Sequence, residues 1–386
     1  MKCIIIAAII AALITLMFIY NSQVYPMKIG LRKSYALNAT QPQQKRIPKI
    51  IAWTGYFSSS LSERIRSYPC PYRCDVFDRT ELPEEDADAI VFHFRNLWDP
   101  NMTLPKTRRP DQIYVSFLKE APPHAGSAVN DPRFAINFFN STVDYRINNF
   151  TYFDQSYFAP VATEDDREKM RPLSEEGFIE IIKKKTKPVL AIISNCDDKS
   201  GRLKYISELS KLINVTKTGW CYGRRISAER QEELIKSHFF VIAFENIACK
   251  DYATEKFWRI EKDIVPIVLR RWILKPKAPD GAYVAADDFE SPRGMAEHLI
   301  NAIENQDAYR KYFAYRNTHY KVTVDGFCDL CRDVYFNNVS ATSHLDMKEY
   351  YSVSRECEFG TGNKLLSNTH HGERATEEIS FEERFI

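Results

Sequence analysis

Three short stretches of this chain place charge where a fold has to account for it. FENIACKDYATEKFW, Phe244 to Trp258, carries two Lys, two Glu and an Asp between HFFVIAF and IVPIVL, runs that read as buried strands. A helix begins there, so Lys256 adds a full positive charge to the field of a helix N-terminus, which suits a diphosphate. Glu245 and Glu255 have the wrong sign for phosphate but can accept hydrogen bonds from ribose, base or sugar hydroxyls. The plainer reading is a solvated helix start, with Asp251 near the N-cap and Glu255 facing water, and spacing alone favours it. SNCDDKSGRLKY follows the apolar run VLAIIS and opens a helix at Arg202 after a glycine, a weak phosphate-cradle signal without GxGxxG or GxxxxGK[ST]. In KEAPPHAG, after QIYVSFL, Glu120 is the sole acid, with His124 four residues on. A single carboxylate at a strand end can serve as a general base, although a surface Glu is commoner.

The elements around these stretches explain why they matter. KIIAWT, AIVFHF and QIYVSFL are short runs rich in β-branched and aromatic residues, and they read as strands of a first α/β domain over 50–185. SEEGFIEIIKKKT is helical and leads into a second domain, 186–316. There VLAIIS, RLKYISELSKLI, NVTKTGW, SAERQEELIKS, FFVIAF, YATEKFWRI and IVPIVL alternate strand and helix. Such alternation predicts a parallel, Rossmann-like sheet, whose ligands lie beyond the carboxyl ends of its strands. All three charged stretches fall at such ends. A long helix is predicted over about 292–316, a cysteine-bearing return segment over 317–358, and a disordered polar tail over 359–386.

Composition narrows the setting. Lys plus Arg (53) nearly balances Asp plus Glu (51), so the bulk charge argues against nucleic acid as a partner. From Cys3 to Tyr20 the chain is uncharged, enough for a helix of about 27 Å across a thin bilayer. That run exceeds a typical signal-peptide core and no small-x-small site follows, so residues 1–20 read as a retained anchor and 21–49 as a stem. Lys2 in front and Lys28, Arg32 and Lys33 behind leave orientation undecided by charge. Six N-x-S/T sequons, at Asn38, Asn101, Asn140, Asn149, Asn214 and Asn338, point to a lumenal body and a single-pass type II arrangement. Of nine Cys, eight follow the anchor, an even number suited to disulfides.

FVIAFENIACKDYATEKFW running into IVPIVL closely resembles the signature of the α1,3-fucosyltransferase family, glycosyltransferase family 10. DADAIVFHFRNL, RRPDQIYVSFLKEAPPH, AINFFNSTVDYR, AIISNCDDKSGRLKYISELSK and FCDLCR resemble that family's successive blocks in order, from about Ile50 to Arg332. The resemblance implies two Rossmann-like domains of the GT-B type. GDP-fucose would sit on the C-terminal domain and a glycan acceptor on the N-terminal one, in a Golgi membrane enzyme that makes an inverting α1,3 transfer to GlcNAc. It implies Glu120 as general base and Arg202 and Lys256 as cations on the diphosphate. Asn195, Asn246, Tyr252 and Glu255 match donor contacts, while His124, Tyr145 and Arg146 fall in the acceptor cleft.

Two cations can serve the leaving group, so no metal or other cofactor is expected to be required, and a divalent cation would at most stimulate the rate. Asp86-Ala87-Asp88 spells the metal–nucleotide D-x-D of another glycosyltransferase fold, but it precedes its strand and reads as a loop leading into the sheet. This chain departs from the family pattern at Ala121, at Ala253 and at Ile147-Asn148-Asn149. In a lumenal protein, Cys328 and Cys331 favour bridges to Cys70 and Cys74 over zinc or redox chemistry. Cys196 and Cys221 can pair at neighbouring strand ends, and Cys249 and Cys357 have no assigned role. Two alternatives are a lumenal protein of this fold with another donor and a non-catalytic sugar-binding protein.

Overall fold

Runs such as AIVFH and IYVSFL are apolar on both faces, which suits a parallel sheet covered on both sides. The computed structural model describes residues 46–367, apart from positions 68, 100, 135, 148–150, 276, 338 and 340–344. The anchor, nearly all of the stem, the tail beyond 367, and Asn38, Asn149 and Asn338 lie outside the described residues. Among those described, no helix is long and apolar enough to cross a membrane.

The first sheet comprises β1 (Lys49–Ala52), β2 (Asp75–Asp78), β3 (Ala89–His93), β4 (Ile113–Leu118), β5 (Ser141–Asp144) and β6 (Thr151–Phe153). Its order is β2-β1-β3-β4-β5-β6, and every pair is parallel. After β7 (Ser156–Pro160), the second sheet uses β8 (Lys187–Ile192), β9 (Val215–Thr218) and β10 (His238–Ile242). A short β11 (Ala248–Cys249) stands apart, and β12 (Val265–Val268) and β13 (Val284–Ala285) complete the sheet. Its order, β13-β12-β10-β8-β9, is also wholly parallel. The strand runs of the first stretch and the strand–helix alternation of the second therefore each produce a parallel sheet. Asp88 accepts from Lys49 N–H at 2.9 Å, at the amino end of β3, so the D-x-D stretch does lead into the sheet.

Two helices are shorter than their patterns suggest. The stretch 292–316 breaks after Pro292–Glu304 because Asn305 turns its side chain to accept from Asp307 and Ala308 N–H, capping a new helix, Gln306–Arg310. In YATEKFWRI only Glu255–Trp258 is α-helical; the chain then tightens to a 3₁₀ turn that ends at Asp263, in the left-handed region at φ 56°.

The C-terminal segment binds the two units together. β14 (His319–Thr323) pairs antiparallel with β7, and the helix Gly326–Tyr335 buries Phe327 and Leu330 against Val115, Phe117 and Tyr152 of the first unit. Disulfides Cys70–Cys328 and Cys74–Cys331 staple that helix in place, and Cys196 pairs with Cys221. Cys249 and Cys357 pair with each other, joining β11 to β15 (Cys357–Glu358). The tail is not disordered from 359: Thr361–Leu366 is a helix with Leu365 in the second core. A Cβ on Gly362 would come within 2.4 Å of Gly201 O, so close backbone contact seats this turn. A single turn has no readable period, which is why the sequence pattern missed it.

One buried imidazole makes this fold sensitive to acid. His238 opens β10 fully buried; its Nδ1–H donates to Leu234 O at 2.5 Å and Nε2 accepts from Thr216 Oγ1 at 2.8 Å. Burial pushes it down to about 4. The unfolded imidazole takes up a proton near pH 6.5 and the folded one does not, so stability is lost as pH falls from about 6.5 toward 4. Urea titrations at pH 7 and pH 5 should show a falling midpoint, and His238→Gln should show a smaller fall.

Candidate active site

The carboxyl ends of the two sheets face one another. β4 ends at Leu118 and hands Glu120 to the cleft; β10 ends at Ile242 and delivers the Glu245–Lys256 loop; β8 ends at Ile192, just before Asn195. Across the gap, Asn246 Nδ2–H donates to His124 Nε2 at 3.0 Å. His124 can accept because burial, with Lys199 and Arg95 nearby, lowers its pKa. Tyr252 packs beside Tyr145, ring centroids 5.1 Å apart, in a cluster with Ala121, Ile247 and Cys249. Burial, reinforced by Glu245 and Glu120, raises the Tyr252 phenol and keeps it neutral. Beneath this contact the buried Lys277 donates to Tyr145 O at 2.6 Å, Gln155 Oε1 at 2.5 Å and Asp251 O at 2.6 Å. Burial pushes its ammonium down to about 7, yet three acceptors require all three protons, so Lys277 clamps the units in its charged form.

The charged loop organises itself before it meets any ligand. Glu245 is buried: Oε1 accepts from Thr254 N–H and Oγ1–H at 2.9 and 2.6 Å, and Oε2 from Lys256 Nζ at 2.9 Å. Both oxygens are occupied, which corrects the reading of Glu245 as an acceptor for ligand hydroxyls. The N-cap is Thr254, not Asp251. Asp251 instead sits buried at φ 60°, a backbone conformation uncommon outside glycine, held by the Lys277 contact. Lys256 keeps 18% of its side chain exposed and Glu255 keeps 74%, so both remain open on the rim.

Arg202 is placed differently from a simple surface cation. It is 1% exposed, and its two Nη groups donate to Phe244 O at 2.9 Å and Asn195 O at 2.6 Å. It thereby fixes the loops after β8 and β10, while Nε has no hydrogen-bond partner among the described residues. The helix N-terminus it opens is already capped, because Asp198 accepts from Arg202 and Leu203 N–H, each at 2.9 Å. Arg146 is not brought to the cleft: it pairs with buried Asp144 at 2.9 Å and donates to Tyr350 O at 2.6 Å. Tyr145 lines the contact between units but is itself 1% exposed.

Two family models match the chain. Residues 182–350 match glycosyltransferase family 10 (fucosyltransferase) C-term, and residues 45–151 match fucosyltransferase, N-terminal. The alpha-(1,3)-fucosyltransferase fut-5 of Caenorhabditis elegans is 30% identical over 311 residues, covering 75% of this chain and 78% of the relative. The chain belongs to this fucosyltransferase family. Alpha-(1,3)-fucosyltransferase C of Drosophila melanogaster is 29% identical, covering 73% and 72%. Caenorhabditis elegans fut-1 is 26% identical, and the match spans 66% of its length. A solved alpha1,3-fucosyltransferase with GDP-fucose superposes at a TM-score of 0.50 with 14% identity, over 80% of this chain and 95% of that one, a likeness of fold.

This fucosyltransferase also has a recess of about 480 Å³ at the ends of β8 and β9, lined by Ser194, Gly219, Trp220, Arg225 and Ile226. Trp220 is 60% exposed, with the Arg225 guanidinium 4.7 Å from its ring centre. Gly219 has φ 102°, and a Cβ there would fall 2.4 Å from Ile193 O, so glycine permits this wall. Sequence reasoning missed Lys277 and Asp198; a lysine between prolines in LKPKAP had no local pattern to expose it. Of the described sequons, Asn101 and Asn214 are exposed. Asn140 is not available in the same way: its Oδ1 accepts from Tyr114 N–H at 2.8 Å, and Ser141 and Thr142 are buried in β5.

Proposed function

We propose that this fucosyltransferase moves L-fucose from GDP-fucose to the 3-hydroxyl of a GlcNAc residue in a glycoprotein glycan, with inversion and an α1,3 linkage. The observation that carries the reading is one carboxylate, Glu120, 20% exposed at the end of β4, facing a loop on the other unit that carries Asn246, Tyr252 and Lys256. Inversion needs one base to take the acceptor proton while its oxygen attacks the face opposite the leaving diphosphate. Lys256, with 18% of its side chain exposed above Glu245, supplies fixed positive charge where GDP gathers negative charge. Arg202 holds the two donor loops in register from its buried position. The open Trp220 face suits a flat nucleobase. Asn195 and Glu255 are exposed on the same rim and can meet ribose or fucose hydroxyls.

Among the described residues no cluster of three or more His, Cys, Asp or Glu could hold a metal ion. In this reading Lys256 carries the role directly while Arg202 holds the donor loops, and a divalent cation would only modulate the rate. Four disulfides and the exposed sequons support a lumenal, Golgi setting on the N-terminal anchor. The acceptor is an N-glycan core GlcNAc or a LacNAc-type antenna.

The test is GDP release from GDP-fucose with a panel of N-glycan core and LacNAc-type acceptors, with and without EDTA. Acceptor-dependent release that survives EDTA is expected. Protein that binds GDP but releases none with any acceptor would overturn the reading.

A further inference from the structure

Behind Glu120 lies a second titratable group that the mechanism above does not use. His93 is the last residue of β3, and its side chain is 0% exposed. Its Nε2 lies 3.7 Å from Glu120 Oε2, and neither atom has a hydrogen-bond partner among the described residues. An imidazole nitrogen buried without a partner is costly, and such groups call for an explanation. The other ring nitrogen is fixed: Nδ1 lies 2.5 Å from Asn96 Oδ1 and donates its proton there. With Nδ1 protonated, the neutral ring turns its Nε2 lone pair toward the carboxyl of Glu120. Tyr56, Phe57 and Phe117 hold the ring in that orientation, with ring centroids 4.9, 5.0 and 5.7 Å away.

We propose that His93 is a positioning residue for the transfer, a proton acceptor held behind Glu120 that is satisfied only when Glu120 carries the proton taken from the acceptor sugar. The inference rests on Glu120 being the base. In the step, the bond from the acceptor oxygen to fucose C1 forms and the bond from C1 to the diphosphate oxygen breaks. The electron pair of the broken bond leaves with GDP, and the acceptor proton passes to Glu120. The protonated carboxyl then turns its O–H to His93 Nε2, a contact that a small shift of Glu120 closes. A lone pair facing a carboxylate is a poor contact, and the same lone pair facing a carboxylic acid is a hydrogen bond. The pair therefore gives the transferred proton a hydrogen bond that the starting carboxylate lacks. Other ionisable groups around it are Tyr56, His124 and Tyr252, with Arg64 and Asp154 acting through Tyr56.

The experiment is the pH profile of kcat/KM for the purified enzyme, alongside His93→Phe, which keeps a ring in the aromatic socket, and His93→Gln, which keeps a polar group there. Both are expected to lower kcat roughly 10- to 100-fold with a smaller change in acceptor KM. Both should also move the acid limb to lower pH by about one unit, because the base loses the partner that favoured its protonated form. A limb that stays in place in folded variants would reduce His93 to a packing role, and a limb that moves to higher pH would make it a cation paired with Glu120. Either result overturns the proposal. Glu120→Gln run in parallel separates the two assignments. If that variant turns over normally, the base reading itself fails. If it is inactive while the limb is unmoved in the His93 variants, only the role of His93 fails.

Discussion

Glu120→Gln is expected to lower kcat by roughly 10²- to 10⁴-fold, the usual contribution of a general base, while GDP and GDP-fucose still bind. The amide has the size of the carboxyl, and its NH₂ can donate to the His93 Nε2 that lies 3.7 Å away in the native protein, so the socket stays filled. The donor side is built on the other unit, where Lys256 Nζ donates to Glu245 Oε2 and Thr254 Oγ1, and the substitution does not touch these bonds. Calorimetry with GDP and initial rates with saturating donor measure the two halves of this statement separately. A folded Glu120→Gln protein with near-native turnover would remove Glu120 from the chemistry.

Lys256→Met should cost about 10²- to 10³-fold in kcat/KM for GDP-fucose, the scale for losing one preorganised charge on a leaving group. It should also destabilise the protein, because the Glu245 carboxylate, 5% exposed, loses its cation and keeps only Thr254. Breaking a buried pair from one side typically costs about 3–5 kcal/mol. The double variant Lys256→Met/Glu245→Gln tells the two effects apart. It removes the stranded charge, so it should regain much of the lost thermal stability and little of the lost turnover. Recovery of turnover in the double variant would mean that Lys256 serves Glu245 alone.

How much of this was legible beforehand depended on whether the determinant was local. Strand runs such as HFFVI and VPIVL declare themselves by composition, and the alternation with helices marked the second sheet as parallel. Glu120 and Lys256 were readable because a strand end and a helix start are local events. The partners of those residues were not. Glu245 meets Thr254 and Lys256 through a loop whose path depends on Asp251 at φ 60° and on a lysine at 277. Arg202 carried the right charge, yet its burial follows from Asn195 and Phe244 closing over it from the loops after two different strands. Arg146 read as a cleft cation and is instead spent on Asp144 and the returning C-terminal segment. The pairing of Cys249 with Cys357 needed β15 to come back across 108 residues to the loop after β10, which no spacing rule announces.

The most direct test of the central claim, inverting transfer by one carboxylate across the cleft, is an NMR analysis of the product made from the β-anomer of GDP-fucose and a GlcNAc-containing acceptor. The account predicts an α-fucoside on O3 of GlcNAc, with one GDP released per linkage formed. A β-fucoside, or GDP released without a fucoside, would contradict it.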